Sequence, residues 1–155
     1  MLSLACDTST KWGRFALAED REILSYRPLT VAGSYADALL PVIEEILTEC
    51  GRRREDLDAV GVTVGPGSFT GVRIGVATAK GLAYGLGCQL FGVTSLAAMA
   101  AALLAENPES EYAVPVLDAR RGEVFAGVFK RAGAWVDPVV PAAAKKPDLW
   151  WRDIT

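Results

Sequence analysis

Three strand-like runs crowd the first 29 residues of the chain, and the turns that join them hold only a few residues each. The runs cover residues 2–6, 13–18 and 23–29, with a polar turn after the first and Asp20-Arg21 after the second. Strands joined so tightly pair antiparallel, because a parallel pair needs a crossover of a dozen or more residues. The chain therefore begins with an antiparallel meander.

Helical and strand-like patterns alternate after this meander. Apolar spacing predicts a helix over about 36–50, and Pro41 inside it means that the helix either begins near Ala38 or is kinked at the proline. Further patterns predict a strand over 59–64, a helix over 69–86, a strand over 89–93 and a helix over 96–105. An antiparallel meander followed by crossover units is the layout of a ribonuclease-H-like α/β domain, assigned here to residues 1–106.

The opening pattern recurs in the second part of the chain. An apolar run over 113–117 ends in Asp118, and a polar turn then leads to a second run over 122–129, as happens around Asp7. A short third strand is predicted over 134–136. We interpret residues 112–155 as a partial second ribonuclease-H-like domain, interrupted by Pro138, Pro141 and Pro147. A doubled unit of this kind is the architecture of the actin, Hsp70 and sugar-kinase superfamily, here with a complete first half and an incomplete second half.

The turn after each first strand is a candidate site for phosphate or nucleotide, because in that superfamily these turns face the phosphates. Hydroxyls and backbone N–H groups can hold phosphate oxygens, and an aspartate can hold a magnesium-bound water. The alternative is that Asp7 and Ser9 only close the turn through side-chain-to-backbone bonds. The residues in question are Asp7, Thr8, Ser9, Thr10, Asp118 and Arg120.

A glycine-rich segment, Gly65-Pro66-Gly67-Ser68-Phe69-Thr70-Gly71-Val72-Arg73-Ile74-Gly75, joins the 59–64 strand to the following helix. It lacks the lysine of a P-loop, and it is a poor match to a dinucleotide fingerprint. Gly71, Gly75 and Ala79 fall on one helical face, where each glycine costs about 1 kcal/mol relative to alanine. We expect close contact with another helix to offset this cost, which favours packing over ligand binding.

Composition narrows the chemistry further. The net charge is −3 and the pI about 5.0, which argues against tRNA binding by this chain alone; the densest basic cluster, Arg52 to Arg54, is followed at once by acidic residues. No histidine is present, so no imidazole can act as a base or bind a metal. Three cysteines among apolar neighbours indicate free thiols in a reducing compartment. With no leader-like start and no membrane-length apolar run, we expect a cytoplasmic protein.

Together these motifs resemble the TsaB (YeaZ) family over about residues 2–130. They are Asp7-Thr8-Ser9, Leu40-Pro41, the glycine-rich segment, Gly92-Val93-Thr94-Ser95-Leu96 and Asp118-Ala119-Arg120-Arg121-Gly122-Glu123-Val124-Phe125.

The resemblance implies a non-catalytic paralogue of the tRNA threonylcarbamoyl transferase TsaD, which pairs with TsaD and with itself through its first two helices and recruits the ATPase TsaE. It implies no catalytic residue, metal or cofactor of its own, nucleotide only at the partner interface, contact with tRNA only indirectly, and no membrane contact. The implied contact residues are Ala36, Leu39, Leu40, Ile43, Leu47, Phe69, Gly71, Val72, Arg73, Gly75 and Ala79.

The family has also been labelled a glycoprotease. The catalytic paralogue carries a His-x-x-x-His metal pair, and the matching positions here are Ser95 and Met99, neither of which replaces an imidazole. The sequence therefore argues against a protease. Two other functions stay open: a small ATP-binding kinase or ATPase that uses Asp7, and a homodimeric interaction module with another partner.

Overall fold

The computed structural model describes residues 1–30 and 35–154, in two compact units, Met1–Val93 and Thr94–Thr155. The first unit contains the antiparallel meander and the two crossover units. The predicted domain boundary after residue 106 lies one helix too late, because helix α3, Ser95–Glu106, packs on the sheet of the second unit. Leu96, Ala100 and Leu104 form the buried face of this helix.

A five-stranded sheet forms the first unit, in the order β3-β2-β1-β4-β5. β1 pairs antiparallel with β2 and parallel with β4, and β4 pairs parallel with β5. This is the predicted order of a meander followed by crossovers. The strands are β1 Leu2–Asp7, β2 Trp12–Glu19, β3 Glu22–Thr30, β4 Ala59–Thr63 and β5 Gln89–Val93.

Helices α1, Tyr35–Glu49, and α2, Phe69–Leu86, cover one face of this sheet, and a short 3-10 helix, Arg54–Asp56, lies between them in the chain. Of the two alternatives for Pro41, a helix start near Ala38 is wrong, because the helix is already formed at Tyr35 and contains Pro41. Burial of Ile43 and Ile46 in the core offsets the backbone hydrogen bond that the proline cannot donate.

Each arginine of the predicted basic cluster forms an ion pair with a carboxylate. Arg52 binds Glu19 at 2.6 Å, Arg53 binds Asp56 at 3.2 Å and Arg54 binds Glu44 at 2.8 Å. These charges are therefore balanced by carboxylates of the first unit.

The sheet of the second unit is built on the long strand β8. β6 and β7 follow one edge of β8 in a single antiparallel register, and β9 pairs along its other edge. The expected third strand over 134–136 is too short, since β9 continues through Pro138 and Pro141. Both prolines are tolerated because β9 is an edge strand. The elements are β6 Tyr112–Ala113, β7 Val116–Arg120, β8 Glu123–Ala132, β9 Trp135–Lys145 and a helix α4, Pro147–Ile154.

Arg131, near the end of β8, holds the C-terminal end of α3. Its Nη2 atom donates to the carbonyl oxygens of Leu104 at 2.7 Å, Asn107 at 3.1 Å and Ser110 at 3.0 Å. A cation at the C-terminal end of a helix also interacts favourably with the helix dipole. One side chain thus binds both the helix end and the turn that follows it.

The three cysteines are free. Burial raises the pKa of the Cys6 thiol to about 12, so this group stays protonated and unreactive at neutral pH. Within the described residues, no helix is long and apolar enough to cross a membrane.

Candidate functional site

The first candidate turn begins where β1 ends, at Asp7. The Asp7 Oδ1 atom accepts a hydrogen bond from the backbone N–H of Ser9 at 2.8 Å and another from the Thr63 hydroxyl at 2.7 Å. Since Thr63 ends the adjacent strand β4, the carboxylate joins the carboxyl ends of two neighbouring parallel strands. These bonds are of the kind that closes a turn without a ligand.

Thr8 and Ser9 lie beneath helix α2. The Thr8 hydroxyl is fully buried and donates to the carbonyl oxygen of Gly71 at 2.7 Å. The Ser9 carbonyl oxygen accepts from the backbone N–H of Ser68 at 2.6 Å, just before the helix begins. Neither residue presents its hydroxyl to solvent, so the predicted use of Thr8 and Ser9 as phosphate ligands finds no support in this geometry.

Thr10 also closes the turn locally, since its hydroxyl donates to the Trp12 carbonyl oxygen at 2.9 Å and accepts from the Trp12 N–H at 3.2 Å. In the part of the chain that the structure describes, no group of three or more His, Cys, Asp or Glu side chains could hold a metal.

Gly71 and Gly75 of α2 lie where this turn packs closely against the helix. A Cβ atom on Gly71 would overlap the Thr8 carbonyl oxygen, and one on Gly75 would overlap the Thr8 hydroxyl. A Cβ on Gly67 would likewise overlap the Ser9 carbonyl oxygen. The expected contact with another helix is therefore wrong for this face. The spacing did signal a close approach, but the approaching group is the β1–β2 turn of the same unit.

More than half of the predicted contact residues are buried in the interior of the first unit. Six are buried, so their side chains are not available to a partner, and the expectation is corrected for them: Leu39, Ile43, Leu47, Gly71, Gly75 and Ala79. Val72 is partly buried. The others are exposed and stay predicted contacts: Ala36, Leu40, Phe69 and Arg73.

The exposed face of α2 lies opposite Gly71 and Gly75, and sequence reasoning named only Phe69 and Arg73 of it. Its central line, which we call the outer strip, consists of Thr70, Arg73, Ala77, Gly81 and Tyr84, all exposed. Phe69 and Gly85 flank this strip. Tyr84 is 93% exposed and Phe69 is 74% exposed. A helical projection would have revealed the strip, because these residues recur at three- and four-residue spacing.

The second candidate turn lies in the second unit. The Asp118 Oδ1 atom accepts from the backbone N–H of Arg120 at 2.7 Å, two residues further on, as Asp7 does with Ser9. The Asp118 carboxylate is 71% exposed and the Arg120 side chain 88% exposed. Arg120 and Arg121 both adopt left-handed backbone angles, with φ of 70° and 53°. This turn presents its charged groups to solvent.

The positions that match the histidine pair of the catalytic paralogue lie on α3. Ser95 is the first residue of the helix and is buried, and Met99 is partly buried one turn later. The Thr94 hydroxyl caps the helix by accepting from the Ala97 N–H at 3.2 Å. These two side chains contribute packing to the second unit.

The family model that matches the chain is described as TsaD, tRNA N6-adenosine threonylcarbamoyltransferase, and it matches residues 22–151. The tRNA threonylcarbamoyladenosine biosynthesis protein TsaB of Bacillus subtilis (strain 168) is 33% identical over 142 residues, which are 91% of this chain. A crystal structure from Pseudomonas aeruginosa, described as similar to the peptidase YeaZ, matches with a TM-score of 0.87 at 30% identity, covering 94% of this chain and 67% of that one.

The fold is that of the actin, Hsp70 and sugar-kinase superfamily, as predicted. The ROK hexokinase of Thermus thermophilus shares it with a TM-score of 0.52 at 19% identity, over 83% of this chain and 46% of that one. Within this fold, the chain belongs to the TsaB (YeaZ) family. It spans about 60% of the length of the Bacillus relative.

Proposed function

We propose that this chain is a non-catalytic subunit of the assembly that makes threonylcarbamoyladenosine on tRNA. In this proposal it pairs with a TsaD protein and helps to recruit the ATPase TsaE. The observation that carries it is the contrast on α2, whose inner face packs tightly on Thr8 while its outer strip is exposed. A helix packed rigidly on one side and bare on the other is suited to docking.

The chemistry of the chain supports a role without catalysis. Its sequence has no histidine, and Ser95 and Met99 stand where the catalytic paralogue has its metal-binding pair. A thiol or hydroxyl nucleophile would need a nearby base, and no Ser-His or Cys-His pair can form without histidine. The paired arginines at 52–54 and the net charge of −3 support contact with tRNA only through the partner.

Docking through α2 would use a cationic surface with aromatic side chains. Arg73 and Lys80 are the only charged residues of this helix, and the Arg73 guanidinium stacks over the Phe69 ring at 4.9 Å. Exposed aromatic and arginine side chains are the types that most often dominate the binding energy of an interface. We propose that the exposed side chain of Leu40 on α1 also takes part in docking, as an apolar contact.

The test is modification of tRNA by purified TsaD and TsaE, supplied with threonylcarbamoyl-adenylate, with and without this chain. We expect strong stimulation by the chain and no transfer by the chain alone. Replacing Tyr84 by Ala should reduce the stimulation, whereas Ile23→Ala, which removes an exposed apolar side chain from β3, should not. Transfer by the chain alone, or stimulation that survives every change to the outer strip, would contradict the proposal.

A kinase or ATPase role predicts nucleotide binding by the isolated chain. Under our proposal the Asp7 turn is closed by its own bonds to Ser9 and Thr63, so we expect no binding of ATP at micromolar concentration. Calorimetry with ATP and magnesium decides between the two functions.

A further inference from the structure

The tip of the β7–β8 hairpin holds arginines where the backbone favours other residue types. Arg120 pairs with Glu123 across the hairpin, and Arg121 and Gly122 form the turn between them. The backbone is left-handed at three successive residues, with φ of 70° at Arg120, 53° at Arg121 and 76° at Gly122. Glycine, asparagine and aspartate suit such positions, because a Cβ atom crowds the backbone there unless a short polar side chain bonds locally. Two successive arginines at this tip therefore destabilise the hairpin.

The other left-handed positions follow the usual preference. Among the residues that the structure describes, a positive φ otherwise occurs only at glycines and at Asp20, which has a φ of 54° and lies in the β2–β3 turn. The first unit thus builds a tight hairpin turn with a residue suited to it. An unfavourable residue kept at an exposed turn indicates that its side chain serves something other than the fold.

Neither arginine side chain stabilises the turn through a strong contact. The Arg120 side chain is 88% exposed, and its Nη1 atom lies 3.9 Å from the Asp118 carboxylate, which is too far for a hydrogen bond. Arg121 is exposed and forms no ion pair with any residue that the structure describes. Exposed ion pairs contribute little to stability even at shorter distances. Both guanidinium groups, which together we call the arginine tip, are therefore available to a partner.

We infer that the arginine tip binds carboxylate groups of a partner protein. A guanidinium can donate two parallel hydrogen bonds to one carboxylate, and arginine is among the residue types that most often dominate the binding energy of an interface. A nucleic acid is a poorer match, because its phosphates would lie against Asp118 and Glu123 as well as against the arginines. A protein can present carboxylates to the arginines alone.

This inference deepens the proposed function and rests on it for the identity of the partner. In the proposed assembly the outer strip of the first unit is taken by TsaD, and the chain also helps to recruit TsaE. The arginine tip belongs to the second unit and is separate from that strip. The acidic surface that meets the arginine tip therefore belongs to TsaE.

The test compares the binding of TsaE to the full chain and to a double variant, Arg120→Gly with Arg121→Asn, both in the presence of purified TsaD. The new residues suit a left-handed backbone, so urea unfolding should show a variant at least as stable as the unmodified chain. We expect calorimetry to show at least a tenfold loss of affinity for TsaE. Arg21→Asn, which removes an exposed arginine from the β2–β3 turn, is the matched control and should leave this affinity unchanged.

A second variant separates the contact from the stability of the turn. Arg120→Lys with Arg121→Lys keeps the charges and the Cβ atoms but loses the paired donors of the guanidinium groups. It should bind TsaE with an affinity between those of the unmodified chain and the first variant. Added salt should weaken the binding of the unmodified chain more than that of the first variant, because the contact is between charges.

Weaker TsaE binding by both variants, with folding intact, supports the inference. Unchanged affinity for TsaE, no TsaE binding by the unmodified chain, or a loss of affinity for TsaD or tRNA in place of TsaE overturns it. The proposed function fails by a different result, which is the absence of any stimulation of tRNA modification by the unmodified chain. Full stimulation and full TsaE binding by the first variant would leave the proposed function intact and remove only this inference.

Discussion

Asp7 and Asp118 close corresponding turns in the two units, and each carboxylate accepts a bond from the backbone N–H two residues further on. Around Asp7 the turn is also held by the Thr63 hydroxyl and covered by α2. Around Asp118 the turn is exposed and its backbone is left-handed at Arg120 and Arg121. The same local motif is therefore covered by a helix at Asp7 in the first unit and exposed at the tip of a hairpin at Asp118 in the second unit.

The contrast teaches that a turn motif alone does not define a ligand site. The bond from an aspartate to a backbone N–H two residues on is satisfied in both units without any ligand. The two turns differ in burial, because α2 packs on Thr8 of the first turn whereas the second turn is exposed to solvent. Stability should therefore respond strongly to changes at the first turn and weakly to changes at the second.

The largest effect is expected for Gly71→Val. The new side chain would overlap the Thr8 carbonyl oxygen, so the β1–β2 turn and α2 must separate, and we expect a loss of more than about 3 kcal/mol or failure to fold. Gly81→Ala, in the same helix but facing open space, should instead be neutral or stabilise by up to about 1 kcal/mol. Urea unfolding of both variants measures the difference. Equal effects would show that α2 is not seated on Thr8.

A direct comparison of the two turns comes next. Asp7→Ala leaves the Ser9 N–H and the Thr63 hydroxyl without their acceptor in a partly buried site, which should cost about 2 kcal/mol. Asp118→Ala removes an exposed carboxylate and should change stability by less than about 0.5 kcal/mol. Hydrogen exchange of the full chain should show faster opening around β1 in the first variant only. A cost at Asp118 equal to that at Asp7 would contradict the comparison.

Alkaline pH should destabilise the first unit through Cys6, which precedes Asp7. The corresponding residue before Asp118 is Leu117, which has no ionisable group. Burial raises the folded pKa of Cys6 to about 12 from an ordinary 9.0. The contribution of the neutral thiol to the free energy of unfolding is therefore complete below pH 9, and it is lost as the pH rises from 9 through 12. At pH 10 the loss should be about 1 kcal/mol. Cys6→Ala should remove this part of the pH dependence of the unfolding free energy measured in urea. If the free energy falls as steeply with pH in the variant as in the unmodified chain, Cys6 does not contribute to that dependence.

The smallest effect is expected at the open turn. Arg120 has a φ of 70°, a conformation that costs a residue with a Cβ atom about 1 kcal/mol or more, and that glycine adopts freely. Arg120→Gly should therefore stabilise the second unit by about 0.5 kcal/mol after the greater chain entropy of glycine is counted. Arg14→Gly, in the middle of β2, is the matched control and should destabilise. Stabilisation by both changes would show that the left-handed angle is not the cause.

The strands and their order follow from sequence because each element carries its own periodicity. The short links between β1, β2 and β3 leave only antiparallel pairing, and the run over 59–64 is apolar enough for a central strand. The extent of β9 could not be predicted in this way. Pro138 and Pro141 interrupt a strand in most settings, and only the pairing shows that β9 lies at an edge.

The candidate site was less predictable, because spacing along a helix reports which residues share a face but not what that face touches. Gly71 and Gly75 correctly indicated a close approach, yet Thr8 is far from them in sequence. The position of α3 has the same explanation. Its apolar residues show that it is buried, but nothing local distinguishes the sheet before it from the sheet after it, against which Leu96 and Leu104 pack.

Arg131 makes the end of α3 and the strand β8 mechanically dependent on each other. Its guanidinium donates hydrogen bonds to the carbonyl groups of Leu104, Asn107 and Ser110. If either element opens alone, all three of these bonds are lost. Loss of the helix end would expose the arginine, and displacement of β8 would leave three carbonyl groups without their donor. The last turn of α3 and the C-terminal end of β8 are therefore expected to open as one cooperative unit rather than to fray one residue at a time.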